Sequence, residues 1–75
     1  MGWNYRIVKT TNRGESCFQI HEVYYSPNGR PKMMSKEPVG PMGTSLKELL
    51  GDFEYMRQAL DRPVFVPPKK WLAGS

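Results

Sequence analysis

Residues 3–25 alternate in polarity on either side of one turn, and this pattern restricts the possible folds more than any other feature. In Trp3-Asn4-Tyr5-Arg6-Ile7-Val8-Lys9-Thr10, the side chains of Trp3, Tyr5 and Ile7 share one face of a strand. Asn4, Arg6, Val8 and Thr10 share the other. Residues 17–25 form a second strand candidate, rich in the β-branched and aromatic types Phe18, Ile20, Val23, Tyr24 and Tyr25. Between them lie the turn formers Asn12, Gly14 and Ser16. A turn centred between Arg13 and Gly14 sets Trp3 opposite Tyr24, Tyr5 opposite Glu22 and Ile7 opposite Ile20. Apolar positions then meet apolar positions, whereas a slip of one residue would mix the faces.

Ser26-Pro27-Asn28-Gly29 is a second strong turn signal. A weaker third strand over 30–36 follows, with Pro31 placing it at a sheet edge or delaying its start. Centring this hairpin between Pro27 and Asn28 puts Met33 opposite Glu22 on the apolar face. Residues 37–43 hold two prolines and two glycines and read as a connector. Ser45-Leu46-Lys47-Glu48 fits a capping box, in which Ser45 accepts from the amide of Glu48. Leu46, Leu49, Leu50, Phe53, Met56 and Leu60 form one apolar stripe of a helix ending near Asp61, with Pro63 as the stop. Gly51 interrupts that helix and weakens it relative to alanine. Val64-Phe65-Val66 reads as a short strand or an apolar clasp, and residues 67–75 as a flexible tail, partly of non-native origin.

The fold class expected is α+β: a three-stranded antiparallel meander, with a short fourth strand as an option, packed on one amphipathic helix in the order β-β-β-α(-β). A single domain spans 1–66. The helix stripe should cover Trp3, Ile7, Phe18, Ile20 and Tyr24, with Glu22 accepting from Tyr5 or a backbone amide. At 75 residues the chain buries only about 60% of its unfolded surface. It carries one cysteine and one histidine, so neither a disulfide framework nor a metal cluster adds support. Good helix packing and self-association are the remaining routes, and a homodimer is expected.

The opposite sheet face is then left open, with four basic residues (Arg6, Arg30, Lys32 and Lys36) and no acidic one. The helix and its flanks, residues 44–62, carry three basic and four acidic side chains. The formal charge of +4 is therefore segregated by face. The candidate binding face is Arg6, Val8, His21, Val23, Tyr25, Arg30, Lys32, Met34 and Lys36. Val8, Val23, Tyr25 and Met34 suit a protein interface or a dimer. The alternative is nucleic acid, with the basic residues on phosphates and Tyr25 stacking on a base.

Catalysis is not expected. Cys17 and His21 lie four residues apart on one strand face, about 13 Å at 3.3 Å per residue, too far for a nucleophile–base pair. No cofactor or small-molecule substrate is implied. No membrane span or signal segment is visible, and a reducing cytoplasm fits the single cysteine.

Three segments together, Trp3-Asn4-Tyr5-Arg6, Ile20-His21-Glu22-Val23-Tyr24-Tyr25 with its Asn-Gly turn, and Ala59-Leu60-Asp61-Arg62-Pro63-Val64, carry a resemblance. The chain resembles a group of small, uncharacterised bacterial proteins of the kind found on mobile elements such as phages or integron cassettes. That resemblance implies no activity and transfers no functional residue. Gly43-Thr44-Ser45-Leu46-Lys47-Glu48-Leu49 is similar to the helix start of HicB-type antitoxins. HicB's Leu-Pro-Gly-type segment is missing, and no separate DNA-binding tail follows Pro63. Toxin neutralisation therefore stands only as an alternative to a non-enzymatic interaction protein.

Overall fold

The computed structural model describes residues 2–72. Strands β1 (Trp3–Asn12), β2 (Glu15–Tyr25) and β3 (Pro31–Met34) form one antiparallel sheet in the order β1-β2-β3. Helix α1 (Leu46–Arg57) continues as a 3₁₀ turn over Gln58–Asp61, and a short helix α2 spans Lys69–Leu72. The architecture is the α+β arrangement expected, three strands followed by a helix.

The first hairpin has the register its sequence dictates: Trp3 pairs with Tyr24, Tyr5 with Glu22 and Ile7 with Ile20, down to Asn12 with Glu15. Arg13 and Gly14 form the two-residue loop with φ of 52° and 82°. Two successive left-handed residues match the right-handed twist of the flanking strands.

The second hairpin differs from expectation. Met33 lies on the apolar face, but it pairs with Tyr24 rather than Glu22. The cause is a longer turn: Ser26 N–H donates to Arg30 O (2.9 Å) and Gly29 N–H to Ser26 O (2.8 Å), with Gly29 at φ 83°. The ladder also shifts between Tyr24 and Tyr25, as at a β-bulge. Beyond β3 the connector keeps to the edge of β2, with Ser35 N–H on Glu22 O and Val39 N–H on Ile20 O, both at 2.8 Å.

Phe65 makes an isolated parallel bridge with Val8 on the free edge of β1. Its N–H donates to Ile7 O (2.9 Å), and Lys9 N–H donates to Phe65 O (3.0 Å). The clasp over 64–66 is thus a single bridge beside β1. In-register bridging puts the Phe65 ring on the Val8 side of the sheet, where Trp71 of α2 packs on it with ring centroids 5.7 Å apart. Pro67 is buried. Within residues 67–75, expected to be a flexible tail, Lys69–Leu72 form a turn of helix whose Trp71 packs on Phe65. Residues 73–75 lie outside the described residues.

The core differs from the one expected. Val8, Val23, Met56, Ala59 and Pro67 are the buried apolar residues among those described, joined by His21. Of the expected list, Met56 is buried and Ile7, Ile20, Tyr24 and Leu49 are half-buried. Trp3, Phe18, Leu46, Leu50, Phe53 and Leu60 are exposed.

The candidate functional site

The face expected to be open is largely closed. Val8, Val23 and His21 are buried, with only 1%, 0% and 4% of their surface exposed. Beside Val8 the segment after Pro63 places Phe65, with Trp71 packed on its ring, a contact between residues far apart in sequence. Arg6 fastens that segment down: its Nε and Nη2 donate to Pro63 O at 3.1 and 2.8 Å. Its Nη1 donates to the Tyr25 hydroxyl at 2.8 Å, and the guanidinium stands 5.4 Å from the centroid of the Phe65 ring. Tyr25 in turn donates to Asn4 Oδ1 at 2.8 Å. His21 Nδ1 lies 3.0 Å from Ser35 O, an atom that only accepts, so this nitrogen carries the proton. Of the nine candidate residues, Arg30, Lys32 and Lys36 are exposed and Met34 is half-buried. The nine do not form one accessible face, and the two groups best suited to a base and its phosphate, Tyr25 and Arg6, are committed to each other.

Cys17 is exposed near the β1–β2 turn, whereas His21 is buried beside Ser35. The two are not brought together.

The surface left without cover lies on the other layer. Ser45 caps α1 as its sequence requires, its Oγ accepting from Glu48 N–H at 3.1 Å. Glu48 reaches back to Thr44, accepting from its N–H (2.9 Å) and hydroxyl (2.8 Å). Those two donors hold the Glu48 carboxyl below its ordinary pKa. The cap residue and the helix start agree with expectation, but the rotation of the helix does not.

The inward positions of α1 and its 3₁₀ extension are Leu49, Asp52, Met56 and Ala59. This stripe shares Leu49 and Met56 with the apolar one and replaces its other members with Asp52 and Ala59. An aromatic cluster fixes the rotation: Tyr55 meets Tyr5 edge-on (5.5 Å, 89°) and lies 6.4 Å from Trp3, which is itself edge-on to Tyr5 (5.1 Å, 87°). Asp52 Oδ2 accepts from Met42 N–H at 2.9 Å, tying the helix to the connector. Burial among these rings, with the nearby charges of Asp52 and Glu22, raises the Tyr5 pKa. Glu22 finds its hydrogen bond from the Tyr24 hydroxyl rather than from Tyr5, and this bond raises the pKa of Tyr24.

The consequence is an apolar ridge turned to solvent. Leu46, Leu50, Phe53 and Leu60 are 71%, 56%, 53% and 69% exposed. At one end the ridge borders a hollow of about 290 Å³ between β2, the connector and the helix, lined by Ile20, Pro41, Phe53, Met56, Arg57 and Leu60 among others. Comparison with family models, curated proteins and solved structures gives no match to this chain.

Residue types alone could not locate this surface, because its side chains are those that normally form a core. The signal that separates them is the second helical stripe at 49, 52, 56 and 59, where Asp52 ties the helix to Met42 and Ala59 is fully buried. No helix among the described residues is long and apolar enough to cross a membrane.

Proposed function

We propose that the chain is a small non-enzymatic interaction module, binding a protein through the apolar ridge of α1 and the adjoining hollow. One observation carries the reading: four large apolar side chains on one helix face remain more than half exposed. Covering a side chain of this kind is worth about 1.5–3 kcal/mol, and contiguous exposed apolar patches commonly mark protein contacts. A hollow bounded by aliphatic and aromatic groups beside a helical ridge suits an apolar side chain from a partner.

The test compares wild type with the Leu50→Glu, Phe53→Glu double variant, after circular dichroism establishes that both are folded. Size-exclusion chromatography reads self-association, and immobilised protein reads capture of partners. Ridge-dependent association of either kind supports the proposal; identical behaviour of the two proteins contradicts it. The nucleic-acid alternative has no comparable support, since Arg6 and Tyr25 are engaged within the fold.

A further inference from the structure

We infer that the ridge is completed by a second copy of this chain, with two α1 helices packed antiparallel across a twofold axis near residue 51. The inference rests on the interaction reading above and names its partner.

Three observations point to self-pairing. The first is area. The folded chain presents 5842 Å² of accessible surface. A folded monomer of 8.7 kDa is expected to present about 4,700 Å². The difference, about 1,100 Å², is comparable with the ~800 Å² that each partner contributes to a standard interface. The radius of gyration agrees, at 13.4 Å against about 11.4 Å for a compact chain of this length.

The second is shape. On α1, Leu46, Leu50 and Phe53 are spaced by four and three residues, the spacing of a two-helix seam, with the charged Arg57 at the next seam position. Leu46 stands at one end of the ridge, and the hollow lies at the other, between Phe53 and Leu60. Antiparallel pairing sets Leu50 beside Phe53 of the second copy and brings Leu46 toward its hollow. The same contact is then made twice, as a twofold interface requires.

The third is charge. Lys47 and Glu54 lie on one flank of the ridge, seven residues apart. Antiparallel packing brings Lys47 near Glu54 of the second copy, and Glu54 near its Lys47. A parallel pair in register would leave them about 10 Å apart along the axis at 1.5 Å per residue. Glu54 already turns toward Arg57 at 3.4 Å on an exposed surface, a contact weak enough to be shared.

The test is sedimentation of the full chain over a range of concentrations, with three sets of variants checked for native circular dichroism. Wild type is expected to be a dimer. Leu46→Glu and Leu50→Glu each raise its dissociation constant at least thirtyfold, about the effect of losing an apolar anchor seated on the partner. Lys47→Glu and Glu54→Lys each weaken it, by about tenfold, and the double swap restores it. The restoration distinguishes pairing from damage to the fold. A dimer indifferent to the ridge variants, or one weakened without restoration by the double swap, overturns the antiparallel model. A strict monomer also overturns it, and an apolar dye then separates the two readings. Dye binding lost in Leu50→Glu leaves the interaction reading standing with another partner, whereas equal binding by both proteins removes both readings.

Discussion

Arg13 sits at φ 52°, a left-handed angle that costs an L-residue about 1–2 kcal/mol. The hairpin tolerates it because the two-residue loop needs left-handed backbone at both central positions. Arg13→Gly should therefore raise stability, by about 0.5–1 kcal/mol, and Gly14→Ala should lower it by a similar amount. Urea denaturation followed by circular dichroism reads both. Arg6 is the opposite case, a residue whose polarity hides a structural task. Its charged donors hold the Pro63 carbonyl and the Tyr25 hydroxyl at once. Arg6→Ala should cost about 1.5–3 kcal/mol, as loss of charge-assisted hydrogen bonds does. Arg6→Lys should recover only part of it, because an ammonium cannot reproduce the planar fork. If Arg6 instead serves a ligand at the surface, Arg6→Ala will leave the denaturation midpoint unchanged.

At the level of elements, the first hairpin and the start of α1 follow from local chemistry. Turn residues and alternation set the one; the Ser45 cap and Glu48 set the other. The rotation of α1 is decided elsewhere, by Tyr55 and Asp52 meeting Trp3, Tyr5 and Met42. Periodicity locates an apolar stripe but does not choose which residues beside it face the sheet. Likewise, Pro67-Pro68 reads as the start of a tail because the contact of Trp71 with Phe65 is invisible without the edge bridge to Val8. Two measurements probe α1 itself. A Cβ built at Gly51 meets nothing within 4 Å, so Gly51→Ala should stabilise the helix by about 0.5–1 kcal/mol. Glu48 has a lowered folded pKa, so its contribution is present above its unfolded value and lost as pH falls through the folded one. Glu48→Gln should flatten the acid limb of the stability–pH curve, and an unchanged limb would locate that dependence in other carboxylates.

For the whole molecule, the two layers face solvent in different ways, and this makes stability and association separable. On one side the sheet is closed by the chain itself, with Val8 and Val23 buried and Phe65 and Trp71 stacked at the edge of β1. On the other, α1 meets the sheet through Tyr55 against Tyr5 and Trp3 and leaves its own apolar ridge outside. Trp71→Ala removes a half-buried ring from the closed side and should lower stability by about 1–3 kcal/mol, a drop of roughly 4–8 °C in Tm per kcal/mol for a domain of this size. It should leave association intact. Leu50→Glu should act in the converse sense, since it alters a side chain that packs little within the monomer. Binding that selects the folded state raises Tm with protein concentration. Calorimetry at several concentrations should therefore give a rising Tm for wild type, a lower but still rising Tm for Trp71→Ala, and a flat one for Leu50→Glu. A concentration-independent Tm for Trp71→Ala would mean that the closed side, not the ridge, holds the two copies together.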